Sequence, residues 1–539
     1  MSLKGLFKFL NLAFPIVLAY IFFYGIGSYG LLAKDEPRYA GCALEMIENN
    51  NWIVPQFNFE DRFDKPVLFY WLVVASYKLF GISSFSSRFP SALCAILLVL
   101  FTWYIGSKVL GKKAGLISAI ILATSAEFVM LGRRAATDIV LCLFFSGSLY
   151  SLYLGYFVKD FKIKLLWTML SGLFLGLSIL TKGPVGILLL FTILTVFLIF
   201  RKQFDIKHLK IYIIILITSL VVSLPWYVAV HLVTNGKFTE VFFFMHNIQR
   251  FTSVVGEHPG PIWFYIPVLI LGFMPWTLFL ILALYQCFKF LKRKHLNKFV
   301  LFCLIWMFVI FFFFTFCKTK MFTYILPVFP PLALITGYWL NIVGRKNIQI
   351  LKYILLFLLI VLICSSIVSY FLVMNLSIPE KELFLPSLFI SVIFLLIGTI
   401  LFFFFIRKYY SLVLFFVLVI AVPSIMMLSS GLRFYHKITF SDLCNFASTA
   451  KQLGAREIIS FGGYKPILVY YGRVLVDFNN KKIQISKIKN LLAANKEVFI
   501  IGYLSDIKDD KPIVYKNKEL FKRLKILKSG RKYFLGKFS

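Results

Sequence analysis

Acidic residues are scarce in this 539-residue chain, in which 23 Asp and Glu stand against 58 Lys and Arg. An excess of that sign points to nucleic acid only where the basic residues gather on one soluble face. Here they sit mostly in short segments between apolar runs, so no nucleic-acid partner is expected. Cysteine is sparse and scattered. The eight cysteines make no CxxC pair and fall mostly inside apolar runs, which excludes a disulfide framework and a structural zinc site of paired cysteines. Charged residues of both signs make up only 15% of the chain, whereas 60% is hydrophobic and 18% aromatic. Soluble domains hold about 45–50% apolar residues. The composition therefore belongs to a bilayer.

An apolar stretch of about 20 residues crosses the hydrocarbon core. Thirteen candidate spans lie near 7–27, 88–107, 114–131, 137–157, 165–181, 184–200, 211–233, 262–288, 299–317, 322–342, 351–374, 385–406 and 411–429. The first follows Lys4 and Lys8 but is longer than the apolar region of a signal peptide, so it reads as a retained helix. Alternate loops are basic: Lys108, Lys112 and Lys113; Lys159, Lys162 and Lys164; Arg201, Lys202, Lys207 and Lys210; Lys289 to Lys298; Arg345 to Lys352; Arg407 and Lys408. Basic loops stay on the cytoplasmic side. The N-terminus is then cytoplasmic and the C-terminus outside. The expected architecture is a polytopic α-helical membrane domain over 1–432, with long outer loops at 28–87 and 234–261, and a small α/β domain over 433–539 on the outer face. In that tail Ser441 reads as the N-cap of a helix to Leu453, and 457–461, 474–478 and 497–502 read as strands.

Ionisable groups inside or at the edge of a membrane domain are costly unless paired or used, and apart from the basic cytoplasmic loops nearly all of them cluster on the outer side. In the first outer loop Lys34-Asp35-Glu36-Pro37-Arg38 leads into apolar positions Tyr39, Ala43, Met46 and Ile47, the pattern of a short amphipathic helix on the membrane surface. Asp35 or Glu36 could cap that helix, and Pro37 suits its first turn. Asp64-Lys65-Pro66 precedes the aromatic Phe69-Tyr70-Trp71. Arg133, Arg134 and Asp138 stand between the third and fourth spans, Lys182 in the turn Thr181-Lys182-Gly183-Pro184, and Lys318 and Lys320 before Tyr324. Arg250 and His246 occupy the second long loop. Singly each is a solvated or snorkelling charge. Together they place cations and carboxylates where an anionic lipid head group would lie.

The stretch DEPRYAGCALEMIENNNWIVPQFNFEDRFDKPVLFYWL, then LFGISSFSSRFPSAL, RRAATD, GLSILTKGPVGILL, HNIQRF, PIWFYIPVLILGFMPWT and KTKMFTYILPVFPPLALITG, resembles the bacterial 4-amino-4-deoxy-L-arabinose lipid A transferases. These are type C glycosyltransferases (the GT-C fold) related to protein O-mannosyltransferases. The resemblance covers nearly the whole chain and weakens in the tail. It implies an inverting transferase in the bacterial inner membrane, which moves a sugar from a polyprenyl-phosphate carrier at the periplasmic face, with no cofactor required. Asp35 becomes the catalytic carboxylate and Asp138 a second one in the cavity. Lys65 and Arg250 become ligands of the carrier phosphate, with Tyr324 hydrogen-bonding beside them; Arg38, Arg134, Lys182, Lys318 and Lys320 are additional candidates. Asp64 stands where the family has Glu, and His246 matches its position approximately, so a divalent metal is left unassigned.

The acceptor stays open among lipid A, another glycan and a protein, as does the sugar. Oligosaccharyl transfer is disfavoured because the chain has no Trp-Trp pair. A lipid or sugar transporter is the competing class. Transporters place charges at the midplane of two related halves, and this sequence shows neither.

Overall fold

The computed structural model describes residues 14–32, 34–203, 205, 208–254, 259–343, 411–461, 463–507 and 516–538. The chain divides into two compact units, one of Met1–Ile26, Phe63–Phe69 and Arg88–Ser429, the other of Gly27–Arg62, Tyr70–Ser87 and Ser430–Ser539.

Helices long and apolar enough to cross a membrane are, among the described residues, Ser84–Leu110, Thr137–Phe157, Phe161–Lys182, Leu209–Val233, Lys298–Phe316 and Phe322–Ile342. Each coincides with an expected span. The spans expected at 351–374 and 385–406 lie outside the described residues, as does the beginning of 7–27, whose later part is the helix Phe14–Phe23. The run at 184–200 is the 16-residue helix Val185–Phe200, shorter than a full crossing.

Two expected single spans are broken. The run at 114–131 is Lys112–Thr124 followed by Ala126–Gly132 at 66°, and the run at 262–288 is Tyr265–Gly272 followed by Thr277–Lys292 at 113°. In the first, Ser125 takes an extended conformation; in the second, Pro275 removes a backbone donor. Hydropathy averages over such breaks and cannot see them. Within lipid the freed backbone groups need partners, and the two breaks supply each other. The Ala126 N–H donates to the Met274 carbonyl at 3.0 Å, and the Trp276 indole donates to Thr124 Oγ1 at 2.9 Å.

Close helix packing rests on small residues. A Cβ added at Gly172 would stand 2.8 Å from the Ile215 carbonyl oxygen, and one at Gly176 2.8 Å from that of Ser219. The helix Phe161–Lys182 thus lies directly against the backbone of Leu209–Val233. Arg133 is fully buried and donates to the Ile21 and Tyr24 carbonyls and to Ser429 Oγ. It closes the C-terminal end of Phe14–Phe23, where orphan carbonyls need donors.

In the second unit the helix Asp35–Glu48 appears where the apolar spacing placed it, but ten of its fourteen residues are buried. It is a core helix of this unit rather than one lying on a surface. The buried Glu45 carboxylate accepts the N–H groups of Asn58 at 2.7 Å and Phe59 at 3.0 Å, which secures the turn between β1 (Gln56–Phe57) and β2 (Glu60–Asp61). A five-stranded sheet follows, in the order β4-β3-β5-β7-β6, of β3 (Glu457–Phe461), β4 (Leu475–Asp477), β5 (Val498–Tyr503), β6 (Leu524–Ser529) and β7 (Tyr533–Phe538). β3 pairs parallel with β4 and β5, while β7 runs antiparallel to β5 and β6. Its core joins Ile459, Phe461, Ile500, Phe534 and Phe538 to Ile488 of the helix Lys481–Ala493. The three expected strands are present to within a residue, and β6 and β7 are additional. Ser441 is not a cap. It is the first residue of the helix Ser441–Gln452, Phe440 is the N-cap, and the Ser441 hydroxyl donates back to the Lys437 carbonyl at 2.5 Å.

Candidate active site

In the first unit the site is built where two packed helices begin and end. Asp138 occupies the first turn of Thr137–Phe157, and Lys182 is the last residue of Phe161–Lys182. Gly183, at φ 109°, takes a conformation that side chains resist and ends the second helix there. Lys182 Nζ lies 2.6 Å from Asp138 Oδ1, with both side chains largely buried. Thr323 gives the carboxylate a further hydrogen bond, and Lys65 is close enough to act on it electrostatically.

Lys182 borders a cavity of about 130 Å³. Lys65, Lys182, Thr319 and Tyr324 supply its polar atoms, while Phe145, Leu189, Phe251, Phe313, Phe314 and Pro327 line the rest. Lys182 Nζ is 5.1 Å from the centroid of the Tyr324 ring, which stacks at a tilt on Phe314 at 5.4 Å. Lys65 is buried and donates to the Asp64 carbonyl at 2.9 Å. Two lysines against one carboxylate leave the polar end cationic. An anionic head group joined to a hydrocarbon chain is the chemistry that such a lining accommodates.

Lys65, Asp138, Lys182 and Tyr324 are therefore brought together. Lys320 is not among the cavity lining. Its ammonium donates to the carbonyls of Thr315 at 2.7 Å, Cys317 at 2.9 Å and Phe314 at 3.4 Å, capping the helix Lys298–Phe316, and burial lowers its pKa. Lys318 is exposed. Arg134 is half-buried and also away from the lining. Arg250 begins the short helix Arg250–Thr252, next to the cavity residue Phe251; its side chain and that of His246 lie outside the described residues.

In the second unit Asp35 is the first residue of its helix and makes no cap. Its carboxylate is half-exposed and 3.5 Å from Arg38 Nη1. Glu36 is fully buried and accepts the Leu32 N–H at 2.6 Å, so Glu36 is structural and Asp35 retains an accessible carboxylate.

Two residues escaped the sequence reading. Thr323 gave no signal of its own. Glu127 did: it is a carboxylate inside an apolar run, buried, with Oε1 lacking a hydrogen-bond partner among the described residues and Asp138 near enough to act on it. Among the described residues no three His, Cys, Asp or Glu side chains converge as a metal cluster.

An uncharacterised protein of Aquifex aeolicus is 31% identical over 365 residues, covering 68% of this chain and 70% of that protein. The undecaprenyl phosphate-alpha-4-amino-4-deoxy-L-arabinose arabinosyl transferases of Pectobacterium carotovorum and Shewanella sediminis are 31% and 30% identical, over 63% and 60% of this chain. The chain is thus similar to aminoarabinose transferases over about three fifths of its length. The alignments span 60% and 59% of the lengths of those two transferases. The profile of the dolichyl-phosphate-mannose-protein mannosyltransferase family matches residues 64–228, a stretch that holds Lys65, Asp138 and Lys182. Crystallised ArnT of Cupriavidus metallidurans bound to undecaprenyl phosphate superposes with a TM-score of 0.81 at 20% identity, covering 99% of this chain and 98% of that one. The oligosaccharyltransferase AglB of Archaeoglobus fulgidus superposes at 0.55 and 13% identity, over 93% and 70%. The fold of this chain is that of crystallised ArnT.

Proposed function

We propose that the chain is an inverting glycosyltransferase that moves a sugar from a polyprenyl-phosphate carrier to an acceptor at the outer face of the bacterial inner membrane. The observation that carries this reading is the cavity in which Lys65, Lys182 and Tyr324 meet an aromatic and aliphatic lining. A phosphate leaves readily once its charge is neutralised, and fixed cations in a dry site do that at little reorganisation cost. Lys65 and Arg250 take this role, while Asp138 holds Lys182 in place. Asp35, with its accessible carboxylate, acts on the acceptor, removing a proton from an attacking hydroxyl or orienting an acceptor phosphate that is already anionic. The names of the relatives favour 4-amino-4-deoxy-L-arabinose as the sugar and a lipid A type acceptor; the mannosyltransferase profile keeps a protein hydroxyl as the second reading.

The test is purified protein in lipid nanodiscs, supplied with undecaprenyl-phosphate-linked 4-amino-4-deoxy-L-arabinose and either lipid A or a serine-rich peptide, with products read by mass spectrometry. Wild-type protein is expected to glycosylate one of them. Lys65→Ala should raise the donor KM by roughly 10- to 100-fold, as a lost charged hydrogen bond does. Unchanged donor kinetics in that variant would remove Lys65 from the site, and no transfer to either acceptor would overturn the reading.

A further inference from the structure

The second unit places an aromatic pair, an exposed Tyr464 and a half-buried Phe478, near the accessible carboxylate. Tyr464 follows β3 and Phe478 follows β4, so both stand just past the carboxyl ends of two neighbouring parallel strands. Ligands of open α/β sheets bind outside those ends. The two rings meet edge to face at 4.8 Å and 61°, and Tyr464 is 41% exposed. The Arg38 guanidinium lies 5.7 Å from the centroid of the Tyr464 ring. The same guanidinium is 3.5 Å from Asp35 Oδ1. Ring, guanidinium and carboxylate thus form one continuous run inside a single unit.

The chemistry of that run selects its ligand. An anion would compete with Asp35 for Arg38, and a cation would meet the Arg38 charge. A neutral ring with one apolar face and hydroxyls at its edge suits all three groups. Its C–H face lies on the aromatic ring, and its hydroxyls reach the planar guanidinium and the carboxylate. We propose that Tyr464 and Phe478 form a platform on which a pyranose ring of the acceptor stacks, setting its reactive group beside Asp35. The proposal rests on the reading of Asp35 as the group that acts on the acceptor. It gives the C-terminal sheet a part in substrate selection rather than support alone.

The experiment uses the full chain in nanodiscs with the water-soluble, uncharged β-1,6-linked N-acetylglucosamine disaccharide as probe, and saturation-transfer NMR as readout. Wild type and Tyr464→Phe should transfer saturation to the sugar ring protons, because stacking needs the ring and not the hydroxyl; Tyr464→Ala should not. In the transfer assay Tyr464→Ala should raise the acceptor KM by about tenfold, the scale of one aromatic contact, with donor KM unchanged. Equal saturation in Tyr464→Ala, no saturation in wild type, or an acceptor KM that stays put would each overturn the platform. A parallel rise of donor and acceptor KM would do so too, since it marks a structural role. Wild type that binds the disaccharide through Tyr464 but transfers no sugar would instead overturn the transferase reading.

Discussion

Two carboxylate–cation contacts of this chain share their chemistry and differ in kind. Asp138 and Lys182 meet at 2.6 Å between packed helices, with 11% and 16% of their side chains exposed. Asp35 and Arg38 meet at 3.5 Å one helical turn apart, with 49% and 30% exposed. Removing one partner of a buried pair strands the other charge and costs about 3–5 kcal/mol. A surface pair contributes about 0–1 kcal/mol. The first contact fixes geometry. The second leaves a carboxylate whose charge the fold does not need, which is what a group reserved for chemistry looks like.

The sharpest way to break this contrast is Asp35→Asn. The variant should accumulate and melt like wild type while sugar transfer falls by about 100-fold or more, as for loss of a charged acid–base group. Near-normal transfer would end the catalytic assignment, and misfolding would end the contrast. Asp138→Ala should act on the other quantity, lowering stability by about 3–5 kcal/mol through a stranded Lys182. Combining Asp138→Leu with Lys182→Met should restore accumulation without restoring use of the donor; full recovery of both would show that the pair does nothing for the phosphate. Lys320→Met should cost about 1–2 kcal/mol, because three carbonyls lose a charged donor at a helix C-terminus. Its donor KM should move less than that of Lys65→Ala, and the opposite order would place Lys320 in the site.

How much was legible follows from the same contrast. Long apolar runs are read by composition, so six expected spans coincide with unbroken helices. The breaks at Ser125 and Pro275 were hidden because a window average ignores where one carbonyl finds its donor. Lys182 and Asp138 were visible as charges near helix ends, but their pairing depends on the approach of two helices. The spacing of Gly172 and Gly176 belongs to a close helix contact that was there to be read. Lys318 and Lys320 looked equivalent and are not, since only the folded turn brings the carbonyls of 314, 315 and 317 around one ammonium. In the tail, β3 and β5 announced themselves as apolar runs, whereas β6 carries Lys525 and Lys528 on an exposed edge and reads as loop.

A further expected effect concerns a cation whose ammonium the second unit buries without a carboxylate contact among the described residues. Lys465 Nζ lies 3.7 Å from the ring centroid of Tyr503 and 4.3 Å from that of Tyr533, and it has no hydrogen-bond partner among the described residues. Burial, offset in part by Asp506, pushes its pKa down to about 8. In the unfolded chain a lysine titrates near 10.4. Between these values the unfolded state binds the extra proton, so stability should rise as pH climbs from about 8 towards 10. Below pH 8 both states are protonated, and the cost of burying the ammonium is present in full. Lys465→Met keeps the bulk and removes the titration. It should be the more stable protein at pH 7, with an advantage that shrinks by pH 9.5. Hydrogen exchange at the β5 and β7 amides of the intact protein, corrected for the intrinsic rate at each pH, measures this locally. An advantage of equal size at both pH values would show that Lys465 is charged in the fold throughout, held by the two tyrosine faces.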